Sequence, residues 1–258
     1  MLPASLQRAL DTIAGTATLL VVSDFDGTLA PIVNNPPDAR ALPAGASALS
    51  ALADLHDTEA AMVSGRALGV LRELAQLSGV SPTVHLVGSH GAEFDTGFSH
   101  YVDEELLERI IARLNEIAWG RAGVTIETKP ASVALHVRNA RPIDAEAALT
   151  AAREAAKDWD VHVTEGKAVL EFAVVSTDKG EAVDILRDQF GASAVAFLGD
   201  DVTDENAFRR LRAGDVGVKV GPGDTAARHR VDSPEQVATV LQYLLEGRKK
   251  VLRQRGSG

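Results

Sequence analysis

Residues 19–32 read "LLVVSDFDGTLAPI". Four apolar residues, Leu19 to Val22, run into two aspartates one residue apart, Asp24 and Asp26, followed by Gly27 and Thr28. An unbroken apolar run of this length, ending at turn-forming residues, marks a strand buried on both faces of a parallel sheet. The strand is expected over Leu19–Ser23, with both carboxylates at its carboxyl end, the rim where doubly wound sheets bind ligands. Strand alternation would place them on one face, but Gly27 indicates a chain already turning. Taken alone, Asp24 also reads as a helix cap and Asp26 as a turn former.

Outward from this stretch the pattern repeats. Further strands are expected at Ala60–Ser64, Val84–Gly88, Ala194–Gly199 and Val216–Val220. Helices are expected at Ala44–Leu55, Ala67–Leu77, Lys179–Phe190, Asp204–Leu211 and Pro234–Leu245, the last two stopping before Gly214 and Gly247. Strands alternating with helices predict a doubly wound α/β fold. The middle departs from that rhythm. Helices at Asp103–Ala118 and Pro142–Lys157 each precede two strands, "TIETK" with "VALHVR" and "VHVTEG" with "AVLEFAV". The first pair is separated by "PAS" and the second meets near Gly166, so both read as antiparallel hairpins. The expected organisation is an α/β core, residues 1–95 and 176–258, carrying an inserted α+β (αββαββ) domain over 96–175.

A second acidic group stands at another strand end. "VAFLGDDVTDENAF" delivers Asp200, Asp201 and Asp204 directly after Gly199. Clustered carboxylates are costly unless a positive charge sits among them, and a hard divalent cation such as magnesium suits oxygen ligands beside a phosphate. A solvated helix start is the plainer alternative. "MVSGR" places Ser64 where its hydroxyl and backbone N–H can hold a phosphate oxygen at a following helix. "TDKGEAV" places Lys179 at a helix entry, where a cation opposes the dipole and so points to a role other than helix stability.

In order, "DFDGT", "SGR", Lys179 and "GDDVTDE" resemble the four motifs of the haloacid dehalogenase superfamily, and the insertion resembles its large αββ-type cap. The resemblance implies phosphoryl transfer through an aspartyl-phosphate. It makes Asp24 nucleophile and metal ligand, and Asp26 general acid and then base, with its backbone carbonyl on the metal. Asp200 becomes the side-chain ligand, Asp201 a support through metal-bound water, and Asp204 the partner that orients Lys179. Ser64 and Lys179 hold the transferring group, Thr28 fixes the loop or donates to phosphate, and Gly65 and Arg66 lie against the substrate. "DGTLAPI", "GSHGAE", "ETKPASVALHVR" and "EGKAVLEF" further resemble the trehalose-6-phosphate phosphatase family. That implies Glu127, Lys129 and Glu171 on the distal glucose, with His136, Arg138 and Lys167 nearby and Glu93 bridging core and cap. One stretch, "EFAVVSTDKG", departs from the family, which often follows the cap glutamate with a basic residue and a proline. From the residues alone, the cap face also reads as a solvated sheet laced by cross-strand ion pairs. His90, between glycines, reads as a turn residue. Competing substrates are sucrose phosphate, mannosyl-phosphoglycerate and phosphomannose. A non-catalytic sugar-phosphate sensor is a further reading, against which the paired Asp24 and Asp26 speak.

Composition narrows the partners. The 258 residues are 45% hydrophobic and 24% charged, an ordinary globular balance, with a short polar end at Arg253–Gly258. A net charge of −10 argues against nucleic acid. The apolar runs are strand-sized, which argues against a membrane span. The opening "MLPASLQRALDTIAG" lacks the pattern of a signal peptide. With no cysteine there is neither disulfide nor thiol chemistry. The expectation is a cytoplasmic monomer acting on a small sugar phosphate with Mg2+.

Overall fold

The computed structural model describes residues 2–100 and 102–255, leaving aside the Phe98 side chain. The chain forms two compact units, Met1–Gly97 with Thr177–Gly258, and Phe98–Ser176. The chain runs α1 (Ala4–Ala14), β1 (Leu19–Ser23), α2 (Pro43–Ala53), β2 (Thr58–Val63), α3 (Leu68–Leu77), β3 (His85–Gly88), β4 (Glu93–Phe94) and β5 (Gly97–Phe98). Then follow α4 (Glu104–Ala118), β6 (Thr125–Lys129), β7 (Ser132–His136), α5 (Pro142–Ala156), β8 (His162–Gly166) and β9 (Val169–Ala173). The chain closes with α6 (Lys179–Phe190), β10 (Ala194–Gly199), α7 (Asp204–Arg210), β11 (Val216–Val220), β12 (His229–Val231) and α8 (Pro234–Arg255).

The large sheet has the order β12-β11-β10-β1-β2-β3-β4-β5. It is parallel from β12 to β3, with β4 antiparallel to β3. Alternate residues of β1 enter opposite layers. Leu19 and Val21 pack with Leu6, Leu10, Leu49 and Leu241, whereas Leu20 and Val22 pack with Val183, Leu186, Phe197 and Phe208. Each such side chain contributes about 1.5–3 kcal/mol by leaving water, which is why the strand reads as continuously apolar. At the start of α6 the Asp178 carboxylate accepts the N–H groups of Gly180 and Glu181, at 2.8 and 2.9 Å. At its end Gly191 takes φ 59°, a left-handed cap open to glycine. Lys179 is therefore fixed as the first helical residue.

Helix ends shift by one or two residues in α2, α3, α4 and α5, and the two glycines expected to close α7 and α8 act differently. α7 ends at Arg210, and Gly214, at φ 98°, turns the chain toward β11 instead of closing the helix. α8 does not stop before Gly247 but runs ten residues past Leu245 to Arg255. Its glycine lies against α1, where an added Cβ would sit 3.4 Å from Ala14 Cβ. The next residue explains the continuation. Arg248 is fully buried and donates to the carbonyls of Ala14, Thr16, Ala17 and Asp57 and to Thr58 Oγ1. Charged hydrogen bonds of about 1.5–3 kcal/mol each outweigh the roughly 1 kcal/mol cost of an interior glycine. Arg253–Arg255 of the expected polar end are helical, and residues 256–258 lie outside the described ones. The N-terminal helix α1 was not anticipated, although Leu6, Leu10 and Ile13 have helical spacing and are all buried.

The second unit is an antiparallel sheet of order β6-β7-β9-β8 with α4 and α5 packed on one face. Ile110, Leu114 and Ile117 of α4 and Ala148 and Ala152 of α5 meet Val133, Leu135, Leu170 and Phe172 of the sheet. Asp103 caps α4 by accepting from Leu106 N–H at 2.9 Å. Both hairpins turn tightly. Lys129 pairs with Ser132, and Gly166 with Val169, where Ala168 takes φ 66°. Register places Glu127, Ala134, Glu171 and Thr164 abreast on the face away from the helices.

Candidate active site at the strand ends of the core

β1 lies between β10 and β2, at the point where successive connections turn to opposite sides of the sheet, which opens a crevice at the carboxyl ends. Asp24 N–H bonds to Leu198 O at 2.9 Å, so the ladder between β1 and β10 holds this residue rigidly. Lys179 Nζ donates to Asp24 Oδ1 at 2.6 Å and to Asp204 Oδ1 at 2.7 Å. The other oxygen of Asp204 accepts the N–H groups of Asp200 and Asp201, each at 2.9 Å, and so shapes the loop that presents Asp200. Two glycines leave room for these carboxylates. A Cβ on Gly199 would fall 2.4 Å from Asp204 Cγ, and one on Gly27, itself at φ 84°, would fall 2.1 Å from Asp200 Oδ2.

Carboxylate oxygens of Asp24, Asp200 and Asp204 lie within 4.8 Å of one another. The Lys179 ammonium contacts two of them, Asp24 and Asp204. Burial, followed by the neighbouring charges of Asp204 and Asp200, holds the Asp24 carboxyl well above the usual range despite Lys179. Burial and then Asp204 push Asp200 up to about 6, with Asp201 adding and Lys179 and Lys219 opposing. Burial disfavours the Lys179 ammonium, but the carboxylates of Asp24 and Asp204 overcome it and raise its pKa. The donor set is thus oxygen-only, crowded and short of positive charge, which fits a hard divalent cation.

Asp26 points elsewhere. Its two oxygens accept Arg66 Nε and Nη2, both at 2.6 Å, and the guanidinium lies 5.8 Å from the centre of the Phe25 ring. Ser64 is buried, and its Oγ accepts Arg66 N–H at 3.2 Å. Gly65 makes room for His90, whose ring carbon Cε1 would sit 2.5 Å from an added Cβ. His90 itself holds a left-handed turn at φ 58°. Thr28 is buried with Oγ1 3.5 Å from Asp200 Oδ1, a distance at the limit of a hydrogen bond.

Two candidates do not join this group. Asp201 is exposed and its Oδ1 accepts Val202 N–H at 2.7 Å. Glu93 accepts Leu68 N–H at the start of α3 and the Ser89 hydroxyl, ties made inside the first unit. Conversely, Lys219 escaped the sequence reading. It is 4% exposed, stands beside Gly199 in the register of β10 and β11, and donates to the Asp200 carbonyl. A lysine inside an otherwise apolar strand was the available signal, since such a residue is buried only with a partner.

On the polar sheet face of the second unit, Lys129 Nζ and Ser132 Oγ reach Glu171 Oε1 at 2.9 and 2.7 Å, and His136 Nε2 lies 2.8 Å from Glu127 Oε2. Arg138 and Lys167 are exposed, the first just past β7 and the second in the β8–β9 turn.

Comparison with known proteins gives this geometry a family. The trehalose-phosphatase family model matches residues 22–237. The trehalose-6-phosphate phosphatase of Escherichia coli K12 is 32% identical, over 86% of this chain and 84% of that protein. A trehalose-phosphate phosphatase of Mycobacterium avium is 33% identical over 88% of this chain but 62% of its own length. An uncharacterized glycosyl hydrolase of Mycobacterium tuberculosis is 32% identical over 87% of this chain and 18% of its own length. The chain therefore spans only part of several longer relatives. Among solved structures, the C-terminal domain of Candida albicans trehalose-6-phosphate phosphatase superposes with a TM-score of 0.73 at 25% identity, covering 95% of this chain and 98% of that one. A haloacid dehalogenase-like core with an inserted αββαββ unit is the shared architecture, and the chain belongs to the trehalose-phosphatase family.

Proposed function

We propose that the protein is a magnesium-dependent phosphatase that hydrolyses trehalose 6-phosphate to trehalose and inorganic phosphate. The observation that carries this reading is the buried Asp24–Lys179–Asp204 group beside Asp200, in a chain of this family. Asp24 attacks phosphorus, the bond from phosphorus to the sugar oxygen breaks, and Asp26 gives its proton to that oxygen. The Asp26 carboxylate then takes a proton from water as the water oxygen attacks the aspartyl-phosphate, which restores Asp24 and releases phosphate. Lys179 and Ser64 hold the phosphoryl oxygens. Asp204 keeps Lys179 aimed, and Lys219 keeps the Asp200 backbone in place. The ion pair with Arg66 opens before Asp26 transfers a proton, which frees a guanidinium for substrate. Asp24, Asp200 and the Asp26 carbonyl would hold magnesium, which supplies the positive charge that a phosphate dianion needs beside so many carboxylates.

The inserted unit, placed at residues 96–175 from the sequence, serves as the cap that recognises the sugar. Glu127, Lys129 and Glu171 share one sheet face and meet the distal glucose through hydrogen bonds, with His136, Arg138 and Lys167 at its margin. The enzyme works as a cytoplasmic monomer without nucleic acid or membrane. No helix among the described residues is long and apolar enough to cross a membrane. The test is phosphate release from a panel of sugar phosphates, with magnesium and with chelator. Magnesium-dependent preference for trehalose 6-phosphate is expected. Preference for sucrose phosphate or another sugar phosphate would overturn the assignments on the sheet face and retain the chemistry of Asp24. No release from any of them by folded protein would favour a sensor.

A further inference from the structure

Apart from the carboxyl rim, the first unit holds a cavity of about 270 Å³ between the end of α7 and the segments that enter β11 and β12. Phe208, Leu211 and Gly217 form an apolar floor, and Arg209, Arg212 and Arg228 stand in its lining. Gly217 is what lets the floor close. A Cβ there would lie 2.8 Å from Leu211 Cδ1 and 3.1 Å from Phe208 Cδ1.

The charges of this lining are only partly offset nearby. Its one acid, Asp215, is consumed from behind. Arg187 grips both oxygens, and the N–H groups of Val195 and Arg212 occupy the rest at 2.9 and 2.7 Å. That ion pair is buried, with side chains 4% and 2% exposed. Arg209 bonds to the neutral Asn206 Oδ1, and Arg212 makes only a long, water-exposed ion pair with Asp184 at 3.7 Å. Arg228 has no ion-pair partner among the described residues. A helix end accounts for part of this, because cations in the last turn of α7 offset its dipole. Arg212 and Arg228 lie outside any helix and fall outside that account. The loop carrying Arg228 is anchored, since Ala226 N–H donates to Glu205 Oε2 at 2.8 Å. Loop and helix thus hold three guanidiniums around an apolar floor, on a protein whose net charge is −10.

We propose that this cavity is a second anion site, distinct from the carboxyl rim, and that it takes a phosphate monoester carried on a small organic body. Guanidinium forks match phosphate oxygens, and the floor covers one apolar face. The volume suits a body of mononucleotide size, at the small end of ligand pockets. The site stands whether or not the rim hydrolyses trehalose 6-phosphate.

The test is isothermal titration of the full chain, in chelator so that turnover is off, with adenosine monophosphate and with inorganic phosphate. The wild type and Arg212→Gln/Arg228→Gln are compared. One site is expected in the wild type, because without magnesium the carboxylates of the rim repel phosphate, and the double variant should lose affinity at it by about tenfold or more. Tighter binding of the nucleotide than of inorganic phosphate supports an organic monoester as the ligand, and equal binding overturns that assignment. Equal affinity in the two proteins, or no binding to the wild type, overturns the site. Arg228→Gln alone should give a smaller loss at the same site, which keeps the test intact if the double variant is unstable.

Discussion

At the core rim, Lys179 grips Asp24 and Asp204 with side chains 3%, 5% and 0% exposed. On the sheet face of the second unit, Lys129 grips Glu171 with side chains 12% and 22% exposed, and His136 meets Glu127 at 39% and 55%. The residue types and distances are nearly the same, but the settings are opposite. In the buried group every charge is held by another, and none can leave without stranding a partner. On the open face water competes for each contact, so a sugar hydroxyl can replace an ion-pair partner at little cost. One arrangement is rigid, which suits the proposed phosphoryl transfer, and the other is more exchangeable, which suits the proposed sugar recognition.

The comparison can be broken by substitution, and the largest effect should come from the rim. Asp24→Asn removes the proposed nucleophile while Asp204 still holds Lys179, so phosphate release should fall by about 10⁴-fold with the fold retained. Turnover near wild type would end its assignment. Next, Lys179→Met leaves two carboxylates buried without their cation and should cost about 3–5 kcal/mol, read from denaturant unfolding at pH 7. The loss should shrink as pH falls and the stranded carboxylates take up protons.

Asp200 sharpens the comparison through pH. Its folded pKa, about 6, lies above its ordinary 3.8, so the folded state holds a proton that the unfolded chain releases. Its contribution to stability is therefore present at low pH and lost as pH rises from 4 to 6. The shift corresponds to about 3 kcal/mol, or about 1–2 after screening by the water that reaches this half-buried group. Metal-free Asp200→Asn should accordingly be more stable than wild type at pH 7 by about 1–2 kcal/mol, and the rise in melting temperature expected of the wild type on adding magnesium should be lost. A variant less stable than wild type would contradict this account of charge crowding.

The smallest change in stability belongs to the sheet face. Glu171→Ala should alter unfolding by about 1 kcal/mol, because its pair with Lys129 is partly reached by water. It should nevertheless reduce kcat/KM for trehalose 6-phosphate more than for a small aryl phosphate. Equal losses on the two substrates would remove it from sugar recognition.

Much of this architecture was legible before any coordinates. β1, β10, β11, β6 and α6 begin and end where their residues predict, because buried strands need continuous apolar runs and α6 carries both a capping aspartate and a closing glycine. The convergence of Asp24, Lys179, Asp200 and Asp204 was legible as motif order. Other features were not. Gly247 reads locally as a helix end, yet α8 continues through it because Arg248 finds its acceptors more than 180 residues away in sequence, at Thr58, Asp57 and the α1–β1 segment. Lys219 reads as one polar residue in a strand until β11 is set beside β10. The pairing of Asp26 with Arg66 joins two motifs each read separately as facing substrate.

Local pattern alone determined β1, β6, β10, β11 and the two hairpins, because period, turn chemistry and apolar length act within a few residues. Tertiary structure decided which charges share a partner. Burial and neighbours from distant strands bring Asp24 and Asp204 onto the Lys179 ammonium, set Lys219 beside Asp200 and commit Asp215 to Arg187. The electrostatic energy of a side chain depends on what lies within a few ångströms in space, and that distance is set only when the sheet is assembled.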